Sequence, residues 1–218
     1  YSLVASDISN QFKVVLPAEA DLYFENPHIV NPALYVRASM AVPAFFEPQY
    51  FPEKPRRSNI GAVISDNCKT MWTKRKGIPA SLVASKGILV DGGVLSNFPI
   101  NILHNQNIRN PRMPIMGARL VDTEKLASNE DGGLKIGDFL GKIINTLRSN
   151  EDNGFLANNP FYRTYCIKDI DLVPTKVNWL NFDLTDKEKN DLFRIGMLAA
   201  IDFLDKFDWE EYKQARIQ

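Results

Sequence analysis

Short apolar runs broken by Pro, Gly and polar clusters dominate the first half of the chain, whereas helical spacing of apolar residues dominates the second. Ser2–Ser6 and Phe12–Leu16 are β-prone runs and read as strands. Asn31 caps a helix over Pro32–Ala41, with Pro32 in its first turn, and Pro43 stops it. Ile88–Val90 is a further apolar strand, followed by a helix opening at Pro99 and a strand near Pro114–Leu120. Ile136, Phe139, Leu140, Ile143, Ile144 and Leu147 recur at helical spacing, and Tyr162–Ile167 alternates loosely as a strand. Thr185 and Glu188 form a capping box ahead of Leu192, Ile195, Ala199, Phe203 and Leu204, the inward stripe of a closing amphipathic helix. The region between Glu47 and Lys86 carries Pro48, Pro52, Pro55 and Pro79 without clear periodicity and reads as a long loop, the kind that is functional or mobile. No internal repeat or dividing linker interrupts the series, so one α/β unit is expected.

Within this pattern the strand Ile88–Val90 delivers a carboxylate, Asp91, to two glycines. Gly92 and Gly93 permit a sharp turn or a close backbone approach, and ligand groups in open α/β sheets gather beyond the carboxyl ends of strands. Asp-Gly is also a common turn former, which is the structural alternative. Asp131-Gly132-Gly133 repeats the tripeptide, but polar Ser128-Asn129-Glu130 precedes it and no strand delivers it to a sheet, so Asp131 reads as a turn residue.

The helix ending Arg37-Ala38-Ser39-Met40-Ala41-Val42-Pro43-Ala44-Phe45-Phe46-Glu47-Pro48, followed by Asp91-Gly92-Gly93 and then Asn97-Phe98-Pro99, resembles the second half of a patatin-like phospholipase domain over about the first 99 residues. The resemblance implies an α/β fold with a central, mostly parallel sheet flanked by helices. It makes residues 1–218 the C-terminal portion of a single acyl hydrolase domain. It further implies a Ser–Asp dyad in which Asp91 orients the serine and accepts its proton as an acyl-enzyme forms, that is, a serine esterase of phospholipase type. The glycine-rich oxyanion loop and the Gly-x-Ser-x-Gly elbow do not occur here; Val83-Ala84-Ser85-Lys86-Gly87 lacks the first glycine, and Ser85 lies at the opposite end of the short strand from Asp91. The chain opens on Tyr1 without Met, so the serine half is expected upstream, and this chain alone is expected to be inactive. A catalytically inactive scaffold or a binding domain would look the same.

The remaining chemistry is sparse. His28 sits in a polar turn and His104 on the helix after Asn97, and both read as solvent-facing rather than as bases. Asn97 either ties down the loop after Asp91 or simply caps a turn. Val42, Phe45, Phe46, Tyr50 and Phe51 form a candidate slot for an acyl chain, with Arg56, Arg57 and Lys74–Lys76 nearby to meet lipid phosphate; core packing and a solvated loop are the alternatives. Phospholipid or another acyl lipid is therefore the expected ligand class, with peripheral membrane contact and a separately supplied N-terminal half as further partners.

Lys plus Arg and Asp plus Glu both number 26, so no global charge attracts nucleic acid. Cys68 and Cys166 make neither a disulfide framework nor a metal set and read as free thiols. Asp7, Asp91 and Asp122 follow strands but lack partners at ligand spacing, and no Gly-x-Gly-x-x-Gly turn is present, so no metal or nucleotide cofactor is expected. A hydrophobic content of 44% is enough for one core and no 18-residue apolar run exists, so the expectation is a soluble protein, cytoplasmic or secreted, that associates with a membrane surface.

Overall fold

The computed structural model describes residues 1–53, 62–105, 107–108, 110–121, 146, 153–173, 177 and 183–217. Two compact units divide the chain, Tyr1–Pro99 with Ile136–Asp152, and Ile100–Lys135 with Asn153–Gln218.

The first unit is built on a four-stranded sheet in the order β2-β1-β4-β3, formed by β1 (Leu3–Asp7), β2 (Phe12–Leu16), β3 (Gln49–Phe51) and β4 (Gly87–Asp91). Every pairing in it is antiparallel: Leu3 faces Leu16, Ala5 faces Asp91 and Gln49 faces Leu89. This overturns the mostly parallel, patatin-like sheet expected from the resemblance. For β1 and β2 the physical reason is local. Only residues 8–11 join β1 to β2, and Gln11 there takes the left-handed conformation at φ 61°. Four residues make a hairpin, whereas a parallel crossover needs a dozen or more.

The helix α1 (Pro32–Ser39) packs on β1 and β4, with Tyr35 and Ala38 buried. Asn31 caps it as expected, its side chain accepting from the Ala33 N–H at 3.0 Å. The expected Glu47–Lys86 loop instead contains β3 and an eleven-residue helix, α2 (Asp66–Lys76). The Ser65 side chain accepts from the Cys68 N–H, and Gly77 ends the helix at φ 72°. Trp72, Tyr23, Phe51, Leu16 and Ile64 are fully buried; Tyr23 meets Phe51 and Trp72 edge-on at 5.4 and 5.6 Å, and the Trp72 indole donates to the Leu22 carbonyl at 2.9 Å. The expected 136–147 helix lies outside the described residues apart from Thr146.

The second unit holds β5 (Gly117–Val121) and β6 (Ile167–Asp171), a parallel pair with Gly117 facing Ile167. Residues read as a strand from Tyr162 form α3 (Phe161–Tyr165) instead, and the strand begins only at Ile167. Tyr162 and Cys166 are both buried four residues apart, which is helical rather than alternating spacing. The helix α4 (Asp186–Lys206) carries the expected capping box, and α5 (Trp209–Ile217) follows. Lys168 on β6 and Lys206 both bond Asp202 of α4 and hold its carboxyl down at about 2. Among the described residues both cysteines are free and buried, and no helix is long and apolar enough to cross a membrane.

Candidate functional site

Asp91 is the last residue of β4, and its N–H, its carbonyl and one carboxylate oxygen are engaged. Its N–H donates to the Ala41 carbonyl at 3.0 Å, its carbonyl accepts from the Ser6 hydroxyl at 3.1 Å, and its Oδ1 accepts from the Gly93 N–H at 2.6 Å, capping the 3-10 turn Gly92–Val94. The two glycines are there for space. A Cβ on Gly92 would stand 2.3 Å from the Val4 carbonyl oxygen, and one on Gly93 would stand 2.7 Å from Asn97 Oδ1 and 2.8 Å from Asp91 Oδ1. Because the neighbouring strand runs the other way, Asp91 faces Ala5 in the middle of β1 rather than a crevice at the carboxyl edge of a parallel sheet.

A second carboxylate, Asp7 at the end of β1, is only 1% exposed and accepts five hydrogen bonds. Oδ1 takes the Ser9 N–H at 2.9 Å, the Ser9 hydroxyl at 2.7 Å and the Asn10 N–H at 3.1 Å; Oδ2 takes the Asn10 amide and the Tyr23 hydroxyl, both at 2.7 Å. The amide oxygen of Asn10 in turn accepts from the Ala84 N–H at 2.9 Å. The sequence offered Asp7 only as a candidate metal ligand, but the Asp-x-Ser-Asn spacing after a strand is a turn signature that pointed to this role.

Ser9 and Asp7 meet through their side chains, and they do not form a dyad. The Ser9 oxygen already accepts from the Ile88 N–H at 2.8 Å, and its single proton is shared between Asp7 and the Lys86 carbonyl, 2.9 Å away. A hydroxyl so occupied is a structural post. Ser85, the imitation of an elbow, is exposed just before β4, with its carbonyl accepting from the Ile64 N–H. The expected Ser–Asp acyl hydrolase, with its serine esterase and phospholipase activity, is therefore corrected: the antiparallel sheet is not the scaffold that chemistry requires, and no nucleophile elbow is formed among the described residues.

His28 is exposed in the 3-10 turn Pro27–Ile29. His104 does not sit on a helix facing solvent as expected; it follows a short 3-10 turn, Ile100–Leu103, and lies in an aromatic cluster with Phe155 and Tyr162. Its Nδ1 meets the Tyr162 hydroxyl and Arg216 Nη1, each at 2.8 Å. Because Arg216 can only donate, Nδ1 is an acceptor and the ring proton sits on Nε2. Burial, followed by the Arg216 charge, lowers the His104 pKa and favours the neutral ring.

Burial pushes the Tyr162 phenol up to about 12, and burial followed by the Asp7 charge pushes Tyr23 well above its ordinary range. An unfolded tyrosine releases its proton near pH 10, while these two keep theirs. Stability is thus fully present below pH 10 and is lost as pH rises toward 12, by at most ~1.4 kcal/mol per pH unit for each retained proton. Urea unfolding between pH 9 and 12 should show this decline, and Tyr162→Phe should flatten it; an unchanged slope would refute the assignment for Tyr162.

The expected lipid-facing residues divide. Phe51 is core, Val42 is half-buried, and Phe45, Phe46 and Tyr50 are exposed. Arg75 is bonded to Asp21 and Lys76 to Glu19, each at 2.7 Å, so two of the three Lys74–Lys76 cations brace α2 instead of presenting free charge. Arg56, Arg57, Asp122 and Asp131 lie outside the described residues. A groove of about 490 Å³ runs along α1, lined by Ala33, Val36, Met40, Ala41 and Phe46, with Arg37 and Glu47 also at its wall.

No family model matches the chain, and no solved structure matches it. The chain is 25% identical over 207 residues, 95% of its length, to the uncharacterized protein YqhO of Bacillus subtilis (strain 168). It spans 58% of the length of that curated relative.

Proposed function

We propose that the chain is a non-catalytic binding module and that its first unit takes an acyl chain in the groove along α1. The observation that carries this reading is an apolar groove that lies open along α1. Val36, Met40 and Phe46 on its wall are 45%, 54% and 46% exposed. Its volume of about 490 Å³ falls in the range of small-molecule sites, roughly 300–1,000 Å³. Arg37 supplies a cation for the carboxylate or phosphate end of the ligand, and Glu47 disfavours a second anionic group. Asp91 contributes by fixing Ala41 on the groove floor through its N–H, and it does no chemistry on the ligand.

Titration of the 218-residue chain with the fluorescent fatty acid cis-parinaric acid should give saturable micromolar binding. Met40→Glu, which puts a charge into the groove, should weaken it at least tenfold with an unchanged melting temperature. A fluorophosphonate should leave no adduct on any serine. Absence of saturable binding, or equal affinity in Met40→Glu, would overturn the groove assignment, and stoichiometric serine labelling would overturn the non-catalytic reading.

A further inference from the structure

The helix α4 is apolar on two opposite faces. One face, with Leu192, Ile195, Ala199 and Phe203, is half-buried, and the helix packs on β6. The other carries Phe193, Met197, Ile201 and Leu204, which are 74%, 46%, 50% and 60% exposed. A helix that is hydrophobic on both sides is ordinarily covered on both sides. Along the outer face Phe193, Met197, Ala200 and Leu204 follow one another at intervals of four, three and four, the spacing of a helix–helix seam rather than of scattered surface residues.

Charge decides what covers it. Arg194 and Asp205 are both exposed and flank the stripe on the same side of the helix. Eleven residues separate them, about 16 Å along the axis, so they do not pair within one helix. We infer that the outer face of α4 is an isologous interface with a second copy of this chain, the two α4 helices packing antiparallel about a two-fold axis between Met197 and Ala200. In that arrangement Phe193 of one copy meets Leu204 of the other, and Met197 meets Ala200. Each Arg194 comes beside the other copy's Asp205, so one contact is made twice by symmetry. A parallel pairing would leave the two charges as far apart as they are within one helix. The apolar stripe is short and is extended by the stems of the flanking charged side chains, so the contact belongs with small, reversible interfaces.

Sedimentation velocity on the 218-residue chain between 1 and 200 μM tests this. The wild type should pass from monomer to dimer across that range. Met197→Glu should remain monomeric throughout, with unchanged helical content by circular dichroism. Arg194→Asp and Asp205→Arg should each raise the dissociation constant about tenfold, and the double exchange should restore it to within threefold. The charge variants alter exposed residues only, so they report even where Met197→Glu disturbs the fold. A wild type that stays monomeric at 200 μM, a dimer indifferent to Met197→Glu, or a double exchange without rescue would each overturn the inference.

Discussion

Asp7→Ala is expected to lower the unfolding free energy by about 3–5 kcal/mol, because it strands four hydrogen-bond donors around a buried position, while the Ser9 hydroxyl keeps the Lys86 carbonyl. The Ser9 and Asn10 backbone N–H groups, the Ser9 hydroxyl, the Asn10 amide and the Tyr23 phenol all point at this one carboxylate. No rotation of a neighbour replaces it, since the Ser9 oxygen is taken by Ile88 and the Asn10 oxygen by Ala84. For a chain of this size the loss corresponds to a fall of about 6–20 °C in melting temperature. Asp7→Asn keeps one acceptor oxygen but turns an amide toward donors, so it should recover only part of the loss. Urea unfolding of the three proteins checks the order, and an Asp7→Ala chain within 1 kcal/mol of wild type would contradict the picture of Asp7 as a saturated hub.

Gly92→Ala should cost about 3 kcal/mol, and Gly93→Ala only about 1, although the residues are adjacent. The difference lies in what the new methyl group meets. At Gly92 it meets the backbone of β1 at Val4, which cannot retreat without breaking its pairing in the sheet. At Gly93 it meets the far ends of two side chains, Asn97 and Asp91, which can swing aside at the price of a cap. Thermal unfolding of the two alanine variants under one set of conditions provides the comparison. Equal costs, or the reverse order, would show that the close approach to β1 is not what requires glycine here.

These residues also mark how far the sequence could be read. Strands β1, β2 and β4, the Asn31-capped helix and the Thr185–Glu188 capping box were legible because each is written in neighbouring residues. Strand direction was not. Leu3–Asp7 and Gly87–Asp91 carry no mark of how two segments about eighty residues apart will pair, and a motif match supplied a parallel sheet where β1 pairs antiparallel with both β2 and β4. The helix α2 was missed because it buries only Cys68 and Trp72, while its basic last turn resembles a solvated loop; Ser65-Asp66 was the overlooked cap. In α4 the inward stripe was read correctly at Leu192, Ile195, Ala199 and Phe203, but Leu204 belongs to the opposite face. Asp91 was picked out by position, and the structure shows what its sequence context left open, a carboxylate capping the turn that its own glycines make.

The Asp7 hub also bears on the order in which the sheet can assemble. The β1–β2 hairpin is closed by four residues and can form on the microsecond scale. The groups that complete the hub arrive from residues 84 to 88, after a loop of nearly eighty residues has closed against its entropy. Until they do, the Ser9 and Asn10 oxygens lack their donors and Asp7 keeps its water, so the hairpin gains little from its own turn. The sheet therefore has no stable half-way state built on β1 and β2 alone, and the strand carrying Asp91 is the piece whose arrival makes the first unit cooperative.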